Sequence, residues 1–536
     1  MSSGEINIKS IRALEEQIKD HEKAVIRLKR ARNSLLNVSK LPPEVLGKIF
    51  RWNVTPKGNL DGLEEGSHNF LLVCRHWFEV ASATPELWSF WGNTLKDWAR
   101  WYRHSGTAPL DLVLDDCGNS GPFELDTALR DVIRDRAAQD AIQRVDLKAR
   151  DPDILHSIIS SLTATFEGIR PNGMASFGLW SWSGTPVDVS KFFANYHFPK
   201  LQRLHLYNCT ISSWDCLMSR TAALTTLFLN FTGPSPTPLT SQLLSMLASN
   251  PALRKVVLSG FAVPDDDDGK SSFRVKLQHL KKLRLEGDLR GVVRLLHWLD
   301  HPRNMGDLRL ILYDCDVTDV SQIIGPYLRD HLQRRDGRSP DGLNLFVSFG
   351  PHISIHRDHV VLHVGDAGGI DFSAQTWTGM DTFVSITVVL NMTHHGDVLE
   401  RAALDLIAHT PREEVSCFQT YNNPVAIWET CAQFPSLRAL SSDSIHLSEA
   451  FPNSGLVKDG KALPSLEHVR LKRVVLDGGD WSPLINFLVA RVSSGNRLDS
   501  LVITSSPCIR PEVMEGIRSL VRELKIVHPQ SPHPPF

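Results

Sequence analysis

The spacing leucine, two residues, leucine, one residue, leucine recurs along this chain and constrains its fold more than any other feature. Leu201, Leu204 and Leu206 carry it, as do Leu224, Leu227 and Leu229; Leu253, Val256 and Leu258; Leu280, Leu283 and Leu285; and Met305, Leu308 and Leu310. Their first positions are 23, 29, 27 and 25 residues apart. The spacing returns at Leu466, Val469, Leu471, then Leu498, Leu501, Ile503, then Val521, Leu524, Ile526, at separations of 32 and 23. A strand turns alternate residues inward, and a return segment lets the next strand pair in parallel. One such unit cannot bury its own leucines, so the pattern predicts stacked units forming a curved parallel sheet over residues 196–536. Between the two runs, HVVLHV at 359–364 and TFVSITVVL at 382–390 read as strands of an irregular repeat or insertion. Residues 93–195 read as a connecting region with the first irregular repeats.

The first 92 residues have a different texture. Ile11, Leu14, Ile18, Val25, Leu28 and Leu35 fall on one a/d series of a heptad, with His21 and Arg32 in its polar slots. This predicts a helix over 8–36, within a segment 1–38, that either pairs with a second chain or lies as a single amphipathic helix on its own body. The RLKRAR run reads as a solvated face of that helix. Pro42 and Pro43 stop it, and Pro43 suits the first turn of a new helix. Val45, Leu46, Ile49 and Phe50 then share an apolar face. After a polar, glycine-bearing loop at 53–69, helical periodicity resumes from Phe70 through Leu71, Val73, Cys74, Trp77 and Phe78, and Thr84-Pro85 punctuates it before Leu87 and Trp88. Residues 39–92 are thus expected to hold three short helices.

Charge and cysteine usage narrow the function. Lys+Arg total 58 against 60 Asp+Glu, so no whole-chain field draws the protein to nucleic acid or anionic membrane. No apolar run approaches a membrane span, and the first residues lack a signal-peptide core, so a cytoplasmic or nuclear location is expected. The eight cysteines are scattered without a CxxC pair and read as reduced, mostly buried thiols.

Catalytic candidates fail on geometry. Residues two apart on a helix point about 200° apart, so Cys74 and His76 cannot form a local dyad. His352, His356, His359 and His363 invite a metal, but on a strand His359 and His363 simply share the face opposite Val360, Leu362 and Val364. DDDDGKSS at 265–272 has Pro264 where a phosphate loop needs glycine, and its carboxylates would repel phosphate. GDAGG at 365–369 has the wrong spacing for a dinucleotide loop, and HExxH and GxSxG do not occur. A non-enzymatic chain with no cofactor and no metal is expected.

LPPEVLGKIF at 41–50 followed by LLVCRHWFEVASATPELW at 71–88 resembles an F-box, in which a Leu-Pro start, an apolar first helix and a V-C-x-x-W segment recur. Leucine-rich repeats after an F-box are a common arrangement of that family. The resemblance implies an α + α/β fold: an N-terminal helix or short coiled coil, a small three-helix F-box, then an irregular leucine-rich-repeat solenoid with a curved parallel sheet. It implies that Leu41, Pro42, Pro43, Leu46, Ile49 and Phe50, with Leu72, Val73, Cys74 and Trp77 behind them, take part in holding the Skp-type adaptor of a cullin-RING ubiquitin ligase. The chain would then be a substrate receptor for protein degradation. The alternative is a leucine-rich scaffold without ligase assembly, whose helical N-terminus serves self-association. The connection from Arg51 to Asn69 is longer than in compact F-boxes.

If the repeat leucines point inward, the residues between them line an open face: Arg203, His205, Tyr207; Thr226, Phe228, Asn230; Lys255; Lys282, Arg284, Glu286; Asp307, Arg309; Arg470, Lys472; Glu523, Lys525. Eight are Lys or Arg and three are Asp or Glu. Such a face suits an acidic or phosphorylated peptide; the alternative is that these side chains merely solvate the sheet. Nucleic acid fits less well, because the excess is small and few aromatics interleave it.

Overall fold

The computed structural model describes residues 3–54, 69–92, 98–116, 133–135, 140–168, 172–212, 214, 217, 221, 223–231, 240–261, 274–300, 305, 307–313, 320–327, 343–352, 357–366, 385–392, 401, 404–410, 412–421, 430–443, 445–447, 451, 463–476, 479–504 and 509–527. The chain is of mixed helix and strand with a large parallel sheet. It divides into two units, residues 1–183 with 191–201, and residues 184–190 with 202–536.

The first unit begins with helix α1 (Ser3–Ser34), followed by a single 3-10 turn at Asn37–Lys40. Helix α2 (Pro43–Val54) starts at the proline that has no N–H to lose in a first turn. A 3-10 turn at Asn69–Leu72 precedes helix α3 (Arg75–Ser82), and another at Pro85–Leu87 follows it. The helix expected to run on from Phe70 is therefore broken. Cys74 takes an extended conformation, φ −162° and ψ 169°, and stands at the cap position rather than inside the helix. These pieces close around a small core of Leu46, Phe50, Phe70, Val80, Ala81, Leu87 and Trp88. The Phe50 and Phe70 rings stack at 4.5 Å, and Trp77 packs against Phe50 at 5.0 Å. Burying the Trp88 indole satisfies its one donor, since Nε1–H donates to Ala81 O at 2.7 Å.

The unit continues as a parallel ladder: β1 (Phe90–Gly92), then helix α4 (Trp98–Ser105), β2 (Leu110–Asp116), β3 (Ile142–Ala149), helix α5 (Pro152–Thr165) and β4 (Ser176–Ser181), with β1 paired to β2, β2 to β3 and β3 to β4. The stretch that reads as a connecting region with the first irregular repeats holds parallel strands, and Phe166, Phe177, Phe192 and Phe193 of this unit are nearly inaccessible. Asp151 caps α5 by accepting from the Asp153 N–H at 2.9 Å.

In the second unit, β5 (Arg203–Tyr207), β6 (Thr226–Asn230), β7 (Lys255–Phe261), β8 (Lys282–Asp288) and β9 (Asp307–Tyr313) lie side by side in parallel. Helix α6 (Thr240–Ala248) returns the chain between β6 and β7, and helix α7 (Leu289–Trp298) between β8 and β9. Leu204, Leu227, Val256, Leu283 and Leu308 form one buried row, and Leu206, Leu229, Leu258, Leu285 and Leu310 the next. Each fully buried leucine contributes about 2 kcal/mol of transfer free energy, available only when the neighbouring strand is in place. Asn250, wholly buried at the end of the α6 return, accepts from Leu224 N–H at 3.2 Å and donates to Met246 O at 2.9 Å.

The middle departs from strict repetition. Strands β10 (Leu343–His352), β11 (Arg357–Asp366) and β12 (Ser385–Met392) are joined by antiparallel pairing, β10 to β11 and β11 to β12. Strand β12 then pairs in parallel with β9, and β10 in parallel with β13 (Val415–Tyr421). The ladder resumes through β14 (Ala439–Asp443), β15 (His468–Lys472), β16 (Leu498–Thr504) and β17 (Val521–Val527), all parallel. Helix α8 (Ser482–Ser493) covers β15 to β16, and helix α9 (Pro511–Leu520) leads into β17. Arg491 of α8 is buried and donates to Leu463 O at 2.7 Å and to Leu466 O at 2.6 Å, tying the turn before β15 to the helix. Burial lowers its pKa to about 10, so it stays charged at neutral pH. Among the described residues no helix is long and apolar enough to cross a membrane.

Strand β7 carries one extra residue, Gly260, where the register with β8 shifts. Its φ is +68°, and a Cβ there would lie 1.8 Å from Phe231 O. Gly260→Ala is therefore expected to destabilise the second unit by about 3 kcal/mol or more. Gly184→Ala, where a Cβ meets nothing within 4 Å, should change stability little. Chemical denaturation of both variants checks this; equal midpoints would contradict it.

Candidate docking surfaces

Helix α2 presents two apolar stripes. At 100° per residue, Pro42, Val45, Ile49 and Trp52 fall within about 80° of one another, with Leu46 and Phe50 to one side. The structure gives the two stripes opposite fates. Leu46 and Phe50 are 0% and 1% exposed, whereas Val45, Ile49 and Trp52 are 41%, 43% and 75% exposed. Leu72 and Val73, just before α3, are 84% and 54% exposed. Pro42 and Pro43 are exposed, and Leu41, Leu71 and Trp77 are half-buried against the core.

The residues expected to hold an adaptor thus separate into two groups. Leu46 and Phe50 belong to the core, because the 3-10 turn and α3 close over that side of α2, and they support the surface without forming it. Leu41 and Trp77 stand between. Pro42, Pro43, Ile49, Leu72 and Val73 are accessible, and Val45 and Trp52 join them. Trp52 went unrecognised in the sequence although its spacing from Val45 and Ile49 puts it on the same stripe.

The second surface is the outward face of the long parallel ladder. Pairing aligns Arg203, Thr226, Lys255, Lys282 and Asp307 in one row, and His205, Phe228, Val257, Arg284 and Arg309 in the next. A third row runs Tyr207, Asn230, Ser259, Glu286 and Ile311. The three carboxylates of this face are all engaged: Asp307 lies 3.9 Å from Lys282, Glu286 accepts from Arg284 at 2.9 Å and from Ser259 at 2.8 Å, and Glu523 pairs with Lys525 at 3.0 Å. Arg203, Lys255, Arg309 and Lys472 have no ion-pair partner among the described residues. Burial, then the nearby Glu286 charge, raises the Tyr207 pKa.

One residue of that expected face is not open. Arg470 is only 7% exposed and its Nε has no hydrogen-bond partner among the described residues. It stands opposite Ser441 and Val502 in the ladder, themselves 4% and 7% exposed. The basic face is therefore exposed at Arg203, Lys255, Lys282 and Arg309, half-buried at Lys472 and closed at Val257, Ser259 and Arg470.

Among the described residues the reactive-residue candidates do not assemble into a site. Cys74 is half-buried at the start of α3, and Cys209, Cys417 and Cys431 are buried free thiols. Burial pushes the Cys417 thiol up to about 12 and raises Cys209 and Cys431 well above the ordinary range. The acidic DDDDGKSS run and His356 lie outside the described residues, and His352, His359 and His363 lie on strands described by their backbone alone. Among the described residues no group of three or more His, Cys, Asp or Glu is arranged to hold a metal ion. No protein-family model matches the chain, and no curated protein matches it.

Thiolate formation is suppressed at the three buried sites, so brief alkylation at pH 8 should leave Cys209, Cys417 and Cys431 unmodified in the native protein and modify them after denaturation. Peptide mass mapping reads this directly. Rapid native labelling of any of the three would contradict the burial described.

Proposed function

We propose that this protein is the substrate-recognition subunit of a Skp-cullin-F-box type ubiquitin ligase. In this reading the helices of residues 41–88 form an F-box that docks a Skp-type adaptor. The second unit is then an irregular leucine-rich-repeat solenoid that holds the protein to be modified. The chain itself makes and breaks no bonds; it brings a target to the ligase.

The observation that carries the proposal is the second stripe of α2. A small helical cluster with a complete core still leaves Val45, Ile49, Trp52, Leu72 and Val73 open to solvent. Exposed large apolar side chains in this number on one small helical segment favour an interaction site over a free surface. The Leu-Pro start at 41–42 and the V-C-x-x-W segment at 73–77 give that site its resemblance to an F-box. A scaffold without ligase assembly would leave the stripe without an occupant. For the target, Arg203, Lys255 and Arg309, which have no ion-pair partner among the described residues, support an acidic or phosphorylated segment, gripped by charge-assisted hydrogen bonds.

The test is capture of a purified Skp-type adaptor by the whole chain. Truncating a central apolar anchor commonly costs more than about 2 kcal/mol, or about thirtyfold in affinity. Ile49→Ala combined with Leu72→Ala should abolish capture while leaving thermal unfolding unchanged, because neither side chain is in the core. Trp182→Ala, at an exposed apolar residue elsewhere, should have no effect. Leu46→Ala is not informative, since an emptied core position costs about 2–5 kcal/mol of stability by itself. Full capture by the Ile49/Leu72 variant would refute the docking surface.

A further inference from the structure

Helix α1 spans 32 residues, yet between Ile11 and Asn33 only Ala24 and Asn33 are even half-buried. Its heptad seam is open throughout: Ile11, Ile18 and Val25 at the a positions are 49%, 57% and 47% exposed, and Leu14 and Leu28 at d are 58% and 71%. The reading of a helix laid on its own body does not describe this arrangement. An apolar repeat of 3.5 residues, sustained for about four heptads, matches another helix of the same period.

The charges identify that other helix. Residues 15–22 hold Glu15, Glu16, Asp20 and Glu22 against a single Lys19. Residues 23–32 hold Lys23, Arg27, Lys29, Arg30 and Arg32 with no acid. The helix dipole suits Glu5 in the first turn but does not account for Glu15, Glu16, Asp20 and Glu22, because its influence is confined to that turn and these four lie about three turns or more after Ser3. In a parallel pair of identical helices each half would lie beside its like. In an antiparallel pair the acidic half of each lies beside the basic half of the other.

We propose that α1 pairs with α1 of a second copy of this chain as an antiparallel coiled coil. The seam fixes the register. Ile18 opposes Leu28 of the second copy and Val25 opposes His21, while Ile11 falls level with Leu35, one residue past the end of α1. Arg32 opposes Leu14 near the ends, where its long side chain reaches water. That register sets Glu15 beside Lys29 of the second copy at flanking e positions, twice by symmetry, with Glu22 facing Glu22 at the centre. A parallel pair would instead put Glu15 beside Ser10 and Lys29 beside Ala24. The proposal is independent of adaptor docking, and its consequence is that two copies of the α2 surface travel together.

Sedimentation of the full chain over a concentration series tests it at about 0.15 M ionic strength, where flanking charges still act. The native chain is expected to show a reversible dimer. Glu15→Lys and Lys29→Glu should each weaken it about tenfold by turning two attractive contacts into repulsive ones. Combining the two substitutions should restore it. A chain that is monomeric throughout overturns the proposal. So does a dimer that either single reversal leaves unchanged, or that the double variant fails to restore.

Discussion

A strand of five or seven residues with one row of leucines gains nothing by forming alone. Its apolar side chains leave water only when a strand on either side and a return segment behind complete the enclosure. The second unit depends on this mutual need. Leu204 needs Leu227, which needs Val256, which needs Leu283, and the register keeps these side chains level from β5 to β9. Because pairing in parallel uses the backbone rather than the outward side chains, the outward rows are left open to carry charge. The face holding Arg203, Lys255 and Arg309 is a by-product of how the core closes.

The antiparallel strands β10 to β12 show how the ladder tolerates an interruption. Two reversals restore the original direction, so β13 continues in parallel with β10 just as β12 lies in parallel with β9. The insertion lengthens the sheet without inverting its sense, and the inward rows resume at Leu440, Val469, Leu501 and Leu524.

The inward rows were legible in the sequence because a strand's period of two leaves a regular trace, and Leu204, Leu227 and Leu283 all lie where the spacing puts them. The heptad of α1 was legible for the same reason. What was not legible came from contacts distant in sequence. Leu46 and Val45 are adjacent apolar residues in one helix, and only the closure of Phe70 and Trp88 over one of them decides which is core. Cys74 carries helical periodicity, yet its extended backbone ends the preceding turn. Arg470 has the strand position of a solvent-facing residue, but it is 7% exposed between Ser441 and Val502, themselves buried. A single-strand pattern holds no information about the strand beside it.

Helix α2 divides its apolar side chains between a buried core, Leu46 and Phe50, and an exposed stripe, Val45, Ile49 and Trp52. Side-chain footprinting of the full protein with a reactive carbene, with and without a Skp-type adaptor, measures that division directly. With the proposed docking, Val45, Ile49, Trp52, Leu72 and Val73 are expected to be labelled in the free chain and protected in the complex, while Leu46 and Phe50 stay unlabelled in both. Labelling of Leu46 and Phe50 in the free chain, or no protection of the open stripe by the adaptor, would contradict it.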